Sequence, residues 1–241
     1  AARGAEVASE RGLKLLTVGA KGETLRLVKR EPTQLGQTLT IEAEGKAHTI
    51  KLPLIGAYQA ANALTAAGLV LATGGALAQT LDNLSRVQSI RGRLERAAIS
   101  KTGAPIYVDY AHTPDGLRAA IEALRPHATG RLITLFGAGG DRDKGKRPEM
   151  GAVAVQLSDH VIVTDDNPRS EDAAAIRHDV LAGAPGATEI GGRREAIAAA
   201  IAEAKSGDIV LLAGKGHEQG QIIGDKVLPF DDVAVARECA A

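Results

Sequence analysis

The sequence predicts an α/β protein in which a mostly parallel sheet is flanked by helices. Two observations predict this fold class. From about Leu94 onward, short apolar runs typical of buried strands alternate with segments of helical periodicity. Charged or glycine-rich stretches directly follow four of these predicted strands. Ligands of such sheets bind beyond the carboxyl ends of the strands, so these four loops are the candidate functional loops.

The first part of the chain predicts strands followed by two helices. Helices are expected at residues 58–72, ending before Gly74-Gly75, and at residues 76–84. Residues 87–93 are interpreted as a linker, which gives domains of residues 1–87 and 88–241. Apolar and polar residues alternate, as in strands, at residues 13–18, 24–28, 38–43 and 48–52. A tight turn is expected at Glu44-Gly45-Lys46, between the last two of these segments.

The second part supplies the α/β pattern. Its predicted strands are residues 94–99, 106–109, 132–136, 160–164, 188–190 and 208–213. Its predicted helices are residues 114–125, 148–157, 172–181, 193–205 and 231–238.

Composition limits the functional classes. The 241 residues include 29 basic and 29 acidic ones and only 2% aromatic residues, a balance that argues against nucleic-acid binding. The single cysteine, Cys239, and the absence of Cys/His metal spacings favour a cytoplasmic setting. The most apolar helix is short for a membrane span and contains polar residues, so no membrane insertion is expected. The chain begins at Ala1 without an initiator Met, and we expect an internal fragment or a processed form.

The loop after the predicted strand 132–136 is the most informative stretch. Three glycines within four residues precede Arg142, Lys144, Lys146 and Arg147, so backbone N–H groups and cations can converge on an anion. Pro148 suits the first position of the next helix. The spacing imitates a Walker A motif but places Arg147 where Ser or Thr is required, so the loop is interpreted as assisting a phosphate. The alternative is an ordinary glycine turn with solvated charges.

Four motifs follow the predicted strands of the second part. They are Asp109-Tyr-Ala-His-Thr-Pro, Phe136-Gly-Ala-Gly-Gly-Asp-Arg-Asp-Lys-Gly-Lys-Arg-Pro, Asp166-Asn-Pro-Arg and Gly214-Lys-Gly-His-Glu. Together they resemble the C-terminal domain of the Mur ligases, and more narrowly the diaminopimelate-adding type. The resemblance covers the chain from about Leu52 to its end.

The resemblance implies a dinucleotide-binding-like C-terminal domain preceded by an incomplete central ATPase domain. It implies an ATP-dependent amide ligase that acts through an acyl phosphate, with meso-diaminopimelate, ATP and a UDP-N-acetylmuramoyl dipeptide as partners. No G-x-x-x-x-G-K-[ST] occurs in the sequence. The Mg²⁺ ligands are expected in the missing part of the central domain and no metal ligand in this chain. We therefore expect a monomer that is inactive on its own.

The resemblance also implies roles for individual residues. Asn62, Arg93, Asp109 and His112 are assigned to the nucleotide, and Lys144 and Arg93 to catalysis, with Lys146 nearly as suitable as Lys144. Arg169 is expected to bind the distal carboxylate that lysine lacks, and Glu218 an ammonium group. The residues assigned to diaminopimelate are Arg142, Asp166, Asn167, Pro168, Arg169, Gly214 and Glu218.

For several of these residues a purely structural role stays open. Asn62 can cap or face water, Arg93 can be a surface arginine, His112 can be structural, and Asn167-Pro168 is turn-prone. A sister Mur ligase or a folylpolyglutamate-synthase-like enzyme is a second interpretation of the chain. A non-catalytic dinucleotide-binding module is the third, although Arg142 replaces the last glycine of G-x-G-x-x-G.

Overall fold

The computed structural model describes residues 2–241 and divides into two compact units. One unit ends at Gln88 and the other begins at Ser89. The sequence places this boundary one residue earlier. The identity of the first unit as part of an ATPase domain stays a prediction.

The first unit is a four-stranded sheet covered by helices. Its strands lie in the order β1-β2-β3-β4, with β2, β3 and β4 antiparallel and β1 parallel to β2. Leu39, Ile41 and Leu64 are among the buried residues that join sheet and helix. The elements are α1 (Ala2–Glu10), β1 (Val18–Gly19), β2 (Leu25–Thr33), β3 (Gly36–Ala43), β4 (Lys46–Leu52), α2 (Ala57–Ala72) and α3 (Leu77–Leu84).

Two features of this unit differ from the prediction. Of the expected strand at 13–18 only Val18 lies in β1, because Leu13 and Leu15 face solvent and pair with no neighbouring strand in the described part of the chain. Helix α1 was not predicted. Alternating apolar residues mark a strand only where a partner strand and a core are present.

The second unit confirms the predicted α/β class. Its six-stranded sheet has the order β5-β6-β10-β7-β8-β9 and is parallel except at the edge strand β5. The strands are β5 (Glu95–Ile99), β6 (Pro105–Asp109), β7 (Leu132–Phe136), β8 (His160–Val163), β9 (Thr188–Glu189) and β10 (Ile209–Ala213). The helices are α4 (Pro114–Leu124), α5 (Lys146–Leu157), α6 (Ala173–Leu181), α7 (Arg193–Glu203) and α8 (Asp232–Ala240).

Local sequence explains these elements. Every residue of β6, β7 and β10 is buried, as expected for central strands covered on both faces. Helix α4 begins with the side chain of Thr113 accepting the Gly116 N–H and with Pro114 in the first turn. Asp172 and Asp231 cap α6 and α8 in the same way.

A short hairpin follows the last central strand and was not predicted. Its strands, β11 (Gly220–Ile223) and β12 (Lys226–Pro229), pair antiparallel around Gly224, whose φ is 57°. An isolated parallel bridge joins Ile223 to Arg169 in the loop after β8. None of the helices over residues 2–241 combines the length and the apolar character needed to cross a bilayer.

Candidate functional site

A cavity of about 500 Å³ lies in the second unit, at the carboxyl ends of its central strands. The loops after β6, β7, β8 and β10 all contribute to its wall. Of the residues predicted to bind the amino acid, all except Pro168 line it. The lining residues are Tyr110, His112, Thr113, Gly139, Arg142, Asp143, Lys146, Asp166, Asn167, Arg169, Gly214 and Glu218.

Two arginines form the basic side of the cavity. Arg142 is exposed and donates from Nη1 to its neighbour's carbonyl, Asp141 O, at 2.9 Å. Arg169 is half-buried, and its Nη1 donates to Gly140 O at 2.8 Å and to Asn167 O at 3.4 Å. Neither arginine forms an ion pair with a carboxylate of the described chain. Both guanidinium groups can therefore accept an anionic ligand.

The backbone holds Arg169 in an unusual conformation. Its φ of 54° is in the left-handed region, which costs a non-glycine residue on the order of 1–2 kcal/mol. The hairpin retains it there: Arg169 N–H donates to Ile222 O at 3.0 Å, and Gly224 N–H donates to Arg169 O at 2.7 Å. The hairpin thus fixes the direction of the Arg169 side chain.

Close backbone contacts place the glycine loop against the loop after β8. A Cβ atom at Gly139 would lie 2.9 Å from Arg169 Nη1, and one at Gly140 would lie 1.9 Å from Pro168 O. At Gly140 only glycine leaves room, because the clash would be with a backbone oxygen, whereas a side chain at Gly139 would displace the end of Arg169. Pro168 is buried in this packing and does not line the cavity, in contrast to its predicted role as a binding residue.

The acidic side of the cavity is a hydrogen-bonded network. Asn167 Nδ2 donates to Glu218 Oε2 at 2.9 Å, and Asn167 Oδ1 accepts from Ile222 N–H at 3.0 Å. The side chain of Lys215 is fully buried, and its Nζ lies 3.4 Å from both Asp166 Oδ1 and Glu218 Oε2. Gln221 Nε2 donates to Asp166 O at 2.7 Å. Two carboxylates and an amide therefore have fixed positions on this wall.

The structure separates the four basic residues, Arg142, Lys144, Lys146 and Arg147, that the sequence placed together near an anion. Helix α5 begins at Lys146, two residues before Pro148, because Gly145 serves as its N-cap. Lys146 lines the cavity, and its Nζ donates to His112 O at 2.8 Å. Lys144 is exposed, pairs with Glu171 at 3.1 Å and does not line the cavity. The geometry favours Lys146 over Lys144 for contact with an anion.

Arg147 belongs to a structural ion-pair cluster. Its side chain is 1% exposed and contacts Glu171 Oε1 at 2.8 Å and Asp179 Oδ2 at 2.9 Å. Hydrogen bonds from Arg147, and then from the Asp141 N–H, lower the pKa of Glu171 to about 2. The expectation that Arg147 contributes to an anion site is wrong, because its charge is already matched by two carboxylates.

Three of the residues predicted to contact the nucleotide, Arg93, Asp109 and His112, lie near Tyr110 in the second unit. Asp109 is buried and accepts the N–H groups of Leu94 and Ala111 at 2.8 and 2.9 Å, and burial raises its pKa. His112 Nδ1 lies 2.8 Å from Tyr110 O, and the Arg93 guanidinium lies 4.9 Å from the centre of the Tyr110 ring. Arg93 and His112 are both exposed.

Asn62 lies in the first unit, on an exposed position of α2, and its Nδ2 donates to Gln59 Oε1 at 3.3 Å. Its predicted role in adenine binding stays a prediction. Across residues 2–241 no group of three or more His, Cys, Asp or Glu side chains is arranged to hold a metal ion.

Sequence reasoning missed Lys215, Tyr110, Thr113 and Asp143. Lys215 lies between Gly214 and Gly216, whose φ values are 113° and 55°. Two glycines flanking a basic residue after a buried strand indicate a special backbone turn, so this signal was available in the sequence. Lys146 has its pKa lowered by burial, which the sequence alone does not reveal.

Comparison with known proteins places these features in a family. Residues 92–216 match the family described as "Mur ligase, glutamate ligase domain". A curated relative from Zymomonas mobilis, named UDP-N-acetylmuramoyl-L-alanyl-D-glutamate--2,6-diaminopimelate ligase, is 66% identical over 95% of this chain and 48% of its own length. This chain thus spans about half the length of the curated relatives that it matches.

Solved structures agree with the sequence match. A structure of a UDP-N-acetylmuramoyl-L-alanyl-D-glutamate--2,6-diaminopimelate ligase has a TM-score of 0.80 and 33% identity, covering 98% of this chain and 50% of that chain. A folylpolyglutamate synthase of Mycobacterium tuberculosis has a TM-score of 0.59 and 25% identity, and the match covers 80% of this chain and 45% of that chain. With a family match over more than half of its residues and the family's motifs around one cavity, the chain belongs to the Mur ligase family.

Proposed function

We propose that this chain provides the amino-acid-binding site of an ATP-dependent ligase of peptidoglycan precursor synthesis. The ligase adds meso-diaminopimelate to UDP-N-acetylmuramoyl-L-alanyl-D-glutamate. The name of the Zymomonas mobilis relative supports the reaction, and the 66% identity supports its transfer to this chain. The observation that carries the proposal is the cavity that unites Arg142 and Arg169 with Asp166 and Glu218.

The charges of the cavity suit this amino acid. Diaminopimelate carries two carboxylates and two amines, so its pocket needs cations and anions at fixed separation. A guanidinium binds a carboxylate through two parallel hydrogen bonds, and Arg169 is held in place through Nη1 alone. Its Nε and Nη2 have no acceptor in the described part of the chain. Arg169 would therefore bind the distal carboxylate and Glu218 an ammonium group.

The chemistry of the reaction requires positioning more than covalent catalysis. By family resemblance, ATP converts the D-glutamate carboxylate into an acyl phosphate, and the amine of diaminopimelate displaces phosphate. In this chain Lys146 would offset phosphate charge at the mouth of the cavity, next to His112. By the same resemblance, the ligands of Mg²⁺ are expected in the central domain of the full-length enzyme. We also propose that the protein is a monomer and that it acts in the cytoplasm, where ATP is available.

Calorimetric titration of the chain tests the proposal. We expect meso-diaminopimelate to bind, and L-lysine, which lacks the distal carboxylate, to bind at least about 100-fold more weakly. Titrations with L-glutamate and with NAD test the folylpolyglutamate-synthase-like and the dinucleotide-binding interpretations. Equal binding of lysine and diaminopimelate, or binding of NAD alone, would contradict the proposal.

A further inference from the structure

Lys215 is a fully buried cation beneath the acidic side of the cavity. Its side chain is 0% exposed, and its Nζ donates to Asn167 Oδ1 at 3.0 Å. The same Nζ lies 3.4 Å from Asp166 Oδ1 and from Glu218 Oε2. Lys215 does not line the cavity itself. It therefore acts on the three polar side chains that do.

The other buried cation nearby is already neutralised. The side chains of Arg193 and Asp232 are both 0% exposed and form a bidentate pair, with Nε–Oδ1 at 2.8 Å and Nη2–Oδ2 at 2.6 Å. Arg193 also donates to Ala213 O at 3.0 Å and to Asp165 O at 3.3 Å. Lys215 is thus the cation in direct contact with the carboxylates of Asp166 and Glu218, whereas Arg193 acts on them from a greater distance.

A count of formal charges shows what this contact does. Asp166, Glu218 and Lys215 together carry one net negative charge, which matches one ammonium group. Without Lys215 the two carboxylates would lose their direct cationic partner, and this loss is most unfavourable for Asp166, whose side chain is only 8% exposed, against 33% for Glu218. Asn167 would also lose the donor that, with Ile222 N–H, orients its amide.

The loop after β10 is built to place this lysine inward. Gly214 and Gly216 flank Lys215 with positive φ values, and a Cβ atom at Gly216 would lie 2.6 Å from the Cβ of Tyr110. The loop therefore packs closely on the loop after β6, and the lysine side chain points away from solvent. Residues with side chains at either glycine position would displace it.

We propose that Lys215 is a positioning residue that sets the charge of the acidic wall, so that the cavity accepts one ammonium group of its amino acid. This inference rests on the proposed function for the identity of the ligand. It assigns to Lys215 a role that requires no contact with the substrate, because all of its hydrogen bonds go to Asp166, Asn167 and Glu218.

A double-mutant cycle tests this role in the intact chain. The variants are Lys215→Met, Glu218→Gln and the combination of both, with Lys226→Met on the exposed strand β12 as the matched control. Lys215→Met should lower the midpoint of thermal unfolding by about 6–12 °C and weaken meso-diaminopimelate binding at least about tenfold. Lys226→Met should change neither. If Lys215→Met does not fold, Lys215→Gln replaces it in the cycle.

The direction in which Glu218→Gln shifts the unfolding midpoint shows whether Lys215 acts through its charge or through packing. Glu218→Gln should lower the midpoint in the parent but raise it in the Lys215→Met background, because it then removes an uncompensated charge. Equal changes in both backgrounds, or diaminopimelate affinity within twofold of the parent in Lys215→Met, would overturn the inference. If the parent binds no diaminopimelate, the proposed function fails, and the stability cycle still decides the charge role.

Discussion

Two groups of charged residues lie close together in the second unit and differ in how their charges are matched. The Arg147 cluster, formed by Arg147, Glu171, Asp179 and Lys144, pairs each cation with a carboxylate. In the cavity, the hydrogen bonds of the Arg169 guanidinium within residues 2–241 go to the backbone carbonyls of Gly140 and Asn167. The first group joins loops and helices through ion pairs, and the second leaves cationic charge available for the amino acid that we propose as ligand.

This difference teaches that position in a charged loop does not define function. Arg142 and Arg147 are five residues apart in one motif, yet one is exposed at the cavity and the other is buried against two acids. A buried arginine needs compensating carboxylates, whereas a ligand-binding arginine needs donors without protein acceptors.

The largest expected effect is on ligand binding at the cavity. Arg169→Ala should weaken meso-diaminopimelate binding by about 100-fold or more and remove its preference over L-lysine, because the charged hydrogen bonds to the distal carboxylate are lost. Calorimetric titration measures both quantities. Arg118→Ala, an exposed arginine of α4, is the control. An unchanged preference in Arg169→Ala would show that another group reads the carboxylate.

The second effect is on stability. Arg147→Met should lower the midpoint of thermal unfolding by about 4–8 °C, because Glu171 and Asp179 lose their shared partner. The affinity of the folded variant for diaminopimelate should stay within a few-fold of the parent. Loss of binding without loss of stability would place Arg147 in the ligand site and contradict the comparison.

The third effect is a pH dependence of the Arg147 cluster. The folded-state pKa of Glu171 is about 2, below its ordinary value of 4.5, so its contribution to stability is present above about pH 4.5. This contribution should be lost as the pH falls from 4.5 toward 2. Thermal unfolding of the parent and of Glu171→Gln at several pH values measures it. The difference between the two proteins should shrink on acidification, and a constant difference would rule the assignment out.

The smallest effect separates the two candidate lysines. Lys144→Met should shift the thermal midpoint by less than about 2 °C and leave ligand affinity unchanged, because its ion pair with Glu171 is solvent-exposed. Lys146→Met should weaken ligand binding several-fold, because Lys146 lines the cavity. The reverse result in parallel titrations would restore Lys144 as the ligand-facing lysine.

Much of the fold could be predicted because the central strands are continuous apolar runs. Strands β6, β7 and β10 and the capping of α4 by Thr113 follow from local sequence. Helix α1 and the hairpin could not be predicted in this way. The residues of β12 are exposed and those of β11 mostly half-buried, and the hairpin holds Arg169 through backbone hydrogen bonds that no side-chain pattern encodes.

The candidate site was predictable as a set of loops but not as a set of contacts. The motifs identified Arg142, Asp166, Asn167, Arg169, Gly214 and Glu218, which the fold brings to one cavity. The choice between Lys144 and Lys146 depends on the residue at which α5 begins, and the burial of Lys215 depends on tertiary packing. Side-chain direction within a short turn is set by such packing.

The most direct test of the central claim is a crystal structure of the chain with meso-diaminopimelate. We expect one carboxylate within about 3 Å of the Arg169 guanidinium and an ammonium group at hydrogen-bonding distance from Glu218, with Lys215 still buried beneath it. A ligand bound outside this cavity, or with its distal carboxylate turned away from Arg169, would contradict the account.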